Sequence, residues 1–217
     1  MNQHPMQQMA DRLFRLATES QTESDCHVTA ELSNRVRRWA LNVAAQVSRL
    51  YASYADDGSL VARTVGAFRD QCDINAEIDD ELLYELLDEV RGAVKQAIED
   101  EIVGCEVSFL PARRAAISAI QFACEQPDTD DFFALCPIFM VVPEHAALAF
   151  AHYALADDEE KGLQLRPVSE YLAEVRANFG QRWLDELEIY LNLDLSVEDL
   201  RAIEVDPATG PSMAFVV

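Results

Sequence analysis

The run TAELSNRVRRWALNVAAQVSRLYASY, residues 29–54, decides the fold class. Its apolar positions Leu32, Val36, Trp39, Val43, Val47, Leu50 and Tyr54 are separated by 4, 3, 4, 4, 3 and 4 residues, which lines one face of an α-helix, whereas a strand would repeat every second residue. Asp56, Asp57, Gly58 and Ser59 supply the stop signal. Upstream, a short helix is expected over Pro5 to Ala17, followed by a polar loop from Thr18 to His27.

The same period recurs downstream. A helix is expected from Leu60 to Cys72, and another, capped by Asn75, runs to Val103 on the stripe Ile78, Leu82, Leu83, Leu86, Leu87, Val90, Val94, Ile98 and Ile102. Pro111 suits the first turn of a helix reaching Cys124. The apolar stretch from Phe132 to Ala156 is interrupted by Pro137 and Pro143, so a short helix capped by Asp128 or Thr129 and a second one from Pro143 are expected there, as a buried hairpin ended by Asp157, Asp158, Glu159 and Glu160. Ser169–Asn178 and Gln181–Leu191 are expected as a pair hinged at Gly180, and Ser196 with Asp199 three residues on has the form of a capping box.

These readings give an all-α fold, a compact bundle of about eight to ten helices with no substantial sheet. The whole chain, 1–217, is expected to form a single helical domain, with 1–72 as a near-neutral helical subdomain and 73–217 as an acidic one. With 50% hydrophobic residues and 7 glycines in 217, the composition is that of a packed protein with few breaks in its helices. The expected core is Leu32, Val36, Trp39, Val43, Leu50, Leu82, Leu86, Val90, Val94, Ile117, Phe133, Leu148 and Leu187.

Charge carries the functional information. Residues 1–69 hold 7 acidic and 8 basic side chains, and residues 70–217 hold 32 acidic and 9 basic, so the second part carries −23 against +1 in the first, for the net −22. Glu77, Glu81 and Glu85 follow one another at i,i+4 steps, joined by Asp88 and Glu89. Like charges at that spacing oppose the helix by roughly 0.2–0.5 kcal/mol per pair. The first-turn acids suit the helix dipole, but Glu85, Asp88 and Glu89 lie beyond its reach. The opposite charge gathers at Arg35, Arg37 and Arg38, with Arg49 further along; pairing with acids of the same chain is the expected use of that cluster.

Linear chemical motifs are missing. Cys26, Cys72, Cys105, Cys124 and Cys136 form no C-x-x-C pair, and an odd number of scattered thiols fits a reducing, cytoplasmic setting. His145 and His152 share a helix face by spacing, but without H-E-x-x-H or Glu-x-x-His they read as helix histidines and not as metal ligands. The neighbours Asp25, Cys26 and His27 read as loop composition, because a nucleophile and its base meet through the fold. No catalytic residue, cofactor or metal is expected.

The expected role is therefore a non-enzymatic acidic protein-binding module, of inhibitor, immunity-protein or accessory-subunit type, meeting a basic protein surface through Glu77, Glu81, Glu85, Asp88 and Glu89. Neither membrane association nor direct nucleic-acid binding is expected. Two other classes fit the same features: a nucleic-acid mimic, and a helical enzyme whose site has no linear motif. A carboxylate every four helical residues gives about one charge per 6 Å against one per ~1.7 Å of duplex, so mimicry needs several such helices side by side. The plain alternative is a solvated face that keeps the chain soluble.

Overall fold

A computed structural model describes residues 4–20, 26–52, 58–73, 79–103, 109–125 and 132–208. Among them are eight helices and no strand: α1 (Pro5–Ser20), α2 (Cys26–Ala52), α3 (Gly58–Gln71), α4 (Asp80–Val103), α5 (Leu110–Cys124), α6 (Phe132–Glu160), α7 (Val168–Tyr190) and α8 (Val197–Ile203). The all-α bundle and its helix number agree with the reading of the sequence. More than half of the 217 residues are helical.

The 29–54 pattern becomes α2, and α2 sits in the middle, touching α3, α5, α6 and α7. It is buried on nearly every side between Arg35 and Ser48, so its polar residues cannot reach water. Val36, Trp39, Val43, Val47 and Leu50 join one continuous core with residues from α1, α3, α4, α5, α6 and α7. α5 lies along α2 and α6 with Ala112, Ala115, Ala116, Ala119 and Ala123 buried; such small side chains let helix axes approach closely.

Several local expectations are corrected. α1 runs three residues past Ala17 and α2 begins at Cys26, so the loop expected over Thr18–His27 is much shorter. α4 starts at Asp80, where the Asp79 Oδ1 accepts the Leu82 N–H at 3.1 Å; Asn75 lies outside the described residues. The hairpin at Pro137 and Pro143 does not form, because α6 continues through both prolines. An interior proline costs about 3 kcal/mol, but this helix is apolar all round and packs on α1, α2, α5 and α7, so burial outweighs the lost bonds.

Nor does the acidic run 157–160 stop α6. The stop is Gly162 at φ 67°, with Gly162 N–H bonded to Glu159 C=O and Leu163 N–H to Asp158 C=O at 3.0 and 2.9 Å, the Schellman arrangement that only a left-handed residue closes. α7 is one helix with no hinge at Gly180. That glycine instead admits α1, since a Cβ there would stand 3.2 Å from the Pro5 Cβ. The Ser196–Asp199 capping box forms as expected.

Of the expected core, Val36, Trp39, Val43, Leu50, Leu86, Val90, Ile117 and Leu187 are buried, and Leu32, Val94 and Leu148 are partly buried against them. The Phe133 side chain lies outside the described ones. Leu82 is 42% exposed, because α4 turns Leu83, Leu86, Leu87, Val90 and Ala97 inward. That rotation also leaves Ile98 and Ile102 outside.

Candidate functional site

α4 flanks the bundle and leans chiefly on α3 and α5. With its leucine side turned inward, Glu81, Glu85, Asp88 and Glu89 are all exposed. Glu77 lies outside the described residues. Glu89 is held by Arg63 at 3.1 Å, whereas Glu81, Glu85 and Asp88 meet no cation among the described residues. Among these carboxylates stands Tyr84, 73% exposed, with Leu82 on the flank. Sequence reasoning missed Tyr84, although its i+3 step from Glu81 was the available signal.

Several acids elsewhere are neutralised within the chain. Asp100 pairs with Arg113, Glu101 with Arg114, Glu144 with Arg176, Glu174 with Arg166, Glu186 with Arg182 and Glu188 with Arg12. Arg166 also lies 4.3 Å from the centre of the Tyr171 ring. These guanidiniums are committed within the bundle, and Glu81, Glu85 and Asp88 on the first half of α4 form a row without a cation among the described residues; the more scattered Glu170, Asp185 and Glu198 meet none there either.

Compared with protein-family models, with curated proteins and with solved structures, the chain matches none. Its surfaces must therefore be read from their own chemistry.

Of the arginine cluster of α2, Arg35 and Arg38 pair with acids of the same chain as expected. Arg35 donates to Glu31 and to the carbonyls of Tyr190, Asn192 and Leu195, at 2.7 Å for the last two. Arg38 grips Glu204 through Nε and Nη2 and donates Nη1 to the Arg69 carbonyl. Arg69 donates to the Val205 carbonyl at 2.9 Å and to Asn42 Oδ1 at 3.0 Å, and Asn42 Oδ1 also accepts the Val205 N–H at 2.8 Å. Further along α2, the Ser48 hydroxyl donates to the Pro207 carbonyl at 2.7 Å. A polar cradle on α2 and α3 thus holds the C-terminal strap, residues 191–208. Burial pulls Arg69 below the ordinary arginine value. Burial also pulls on Arg38, but its bonds to Glu204 and the charge there outweigh that and raise it.

Two tryptophans extend the buried polar chain, with Trp39 Nε1 donating to the Trp183 carbonyl and Trp183 Nε1 to Gln46 Oε1, both at 3.0 Å. Cys72 and Cys124 are buried thiols; burial pushes Cys72 up to about 12 and Cys124 higher still, which keeps both protonated and unreactive at neutral pH.

His145 and His152 lie on α6 in separate surroundings. His145 Nδ1 is 3.0 Å from the Val141 carbonyl and the ring rests on Phe122, 4.9 Å between centres. Burial, and then the charge of Arg114, lower His152 below the ordinary histidine value. No group of three or more His, Cys, Asp or Glu able to hold a metal occurs among the described residues. Cys26 and His27 fall in the first turn of α2 and not in a loop.

Proposed function

We propose that this chain is a non-enzymatic protein-binding module that meets a basic partner surface with the outer face of α4. The observation that carries the reading is a contrast along and beyond one helix: Glu81, Glu85 and Asp88 stand in an exposed row that meets no cation among the described residues, while Asp100 and Glu101 further along α4 and Glu144, Glu174, Glu186 and Glu188 on α6 and α7 are paired internally. Uncompensated like charges on one helix cost stability, and a basic partner removes that cost on binding. Tyr84 supplies what the charges lack, since an exposed aromatic gives contact area at small entropic cost and attracts Arg or Lys through its face. Long-range attraction between the stripe and a basic surface acts mainly on the rate of encounter.

A net charge of −22 repels phosphate, so direct nucleic-acid binding is not part of the proposal. No helix among the described residues is long and apolar enough to cross a membrane. The proposed setting is cytoplasmic, where buried thiols such as Cys72 and Cys124 stay reduced.

The test replaces Glu81 and Glu85 by Gln and Asp88 by Asn together. Partners captured from native lysate at low salt are purified, and their association rates with wild type and variant are measured at about 0.05 and 0.3 M salt. The expected result is slower association for the variant and a weaker dependence on salt, with folding intact. Wild-type rates for every captured partner would remove α4 as the binding face.

A further inference from the structure

The strap is held by a set of buried polar bonds as well as by apolar burial. Within residues 191–208, Leu191 and Leu200 are the buried apolar side chains. Leu195 and Val205 pack half-buried against the core, Arg201 lies 3.6 and 3.8 Å from Asp70 and Asp73, and the buried polar bonds come from Arg35, Arg38, Asn42, Ser48 and Arg69. The bonds are ordered like a recognition site. Arg38 reads a carboxylate with two donors, and Asn42 with Arg69 reads both the N–H and the C=O of the residue that follows it. An extended peptide with a glutamate, or an aspartate, at that place would satisfy the same groups.

The cradle also holds more polar capacity than its occupant uses. Two guanidiniums, Arg38 and Arg69, share one carboxylate, and the Arg69 Nε stands 3.8 Å from Glu204 Oε2, beyond bonding reach. The buried Arg69 Nε and the Tyr190 hydroxyl have no hydrogen-bond partner among the described residues. Apolar side chains of the same size often hold a fold as well as a buried ion pair does, and buried polar groups are normally satisfied. Beside the strap, a cavity of about 370 Å³ opens between α2 and residues 193–200, bordered by Arg35 and Arg38 and by the acids Glu31, Asp73 and Asp194.

We propose that the Arg38–Arg69–Asn42 cradle is a docking site for an extended acidic peptide of another protein, occupied in cis by Glu204 and Val205 of this chain. The strap is then a built-in competitor, and its release exposes a small basic site on an otherwise acidic molecule. This site is separate from the α4 face, and neither depends on the other.

The probe is a fluorescein-labelled peptide with the sequence of residues 200–208, LRAIEVDPA. Titrated into the full chain carrying Glu204→Ala, it should bind saturably, at least about tenfold tighter than to wild type, whose own strap competes. Glutamine in place of the peptide glutamate, or Arg38→Gln added to the chain, should each remove at least about tenfold of that affinity. Absence of saturable binding, or indifference to the peptide glutamate, would overturn the proposal. Should Glu204→Ala fail to fold, hydrogen exchange on the wild-type chain decides: the amides of 197–205 should open at least about tenfold more often than those of Val43 and Ala44 under native conditions. Strap and α2 amides sharing one opening constant would show that the strap never leaves, and the proposal falls.

Discussion

Single side chains in the middle of this bundle are constrained by what α2 buries. Gln46 accepts the Trp183 indole N–H and donates to Glu186 at 3.0 Å, so Gln46→Leu would strand a fully buried donor. The expected loss is about 1–3 kcal/mol of unfolding free energy by urea titration; a neutral result would mean that the indole finds another acceptor. His152 gives a pH dependence. Its folded-state value lies below the ordinary 6.5, so below that pH the unfolded chain takes up the proton first. Stability from this group is complete above about 6.5 and declines as pH falls through that value toward the lowered one. In melting temperatures recorded between about pH 7.5 and 5.5, His152→Gln should flatten this decline while leaving the carboxylate-driven loss at lower pH. Parallel curves for the two proteins would contradict the assignment.

Helices respond to different physics. Gly92 lies exposed within α4, and a Cβ there would meet nothing within 4 Å, so Gly92→Ala should add about 0.5–1 kcal/mol, read as a higher midpoint at unchanged denaturant slope. At Gly180 the same change meets Pro5 at 3.2 Å, and the gain should be smaller or absent. The contrast shows how far the sequence could be read. Periodicity placed α2, α3, α5 and the Ser196 box well, because those signals are local. It failed where a distant contact decided the outcome: the prolines of α6 are carried by neighbours, and Gly180 serves the crossing of α1. Leu82 and Leu83 are adjacent and equally apolar, so only the rotation of α4 against α3 and α5 could choose between them. On the candidate surfaces, the exposure of Glu81, Glu85 and Asp88 was legible from the helical period. The destination of Arg38 was not, since Glu204 is 166 residues away.

For the molecule as a whole, the surface charge sets the response to salt. Raising ionic strength from about 0.05 to 0.3 M shortens the Debye length to below ~10 Å and screens carboxylate repulsion among exposed sites, while the buried Arg38–Glu204 pair is screened little. The melting temperature should therefore rise; an unchanged or lower midpoint would mean that the surface ion pairs outweigh the repulsion. The tryptophan pair determines how any of this is seen optically. The chain has 2 tryptophans, both fully buried and directly bonded across α2 and α7, so native emission arises from one dry joint and should be blue-shifted and closed to acrylamide. Intrinsic fluorescence is consequently blind to α4 and to the strap. Emission and far-UV ellipticity will trace the same denaturation curve only if the outer helices leave together with that joint, and a gap between the two curves would measure how much of the bundle melts in the dark.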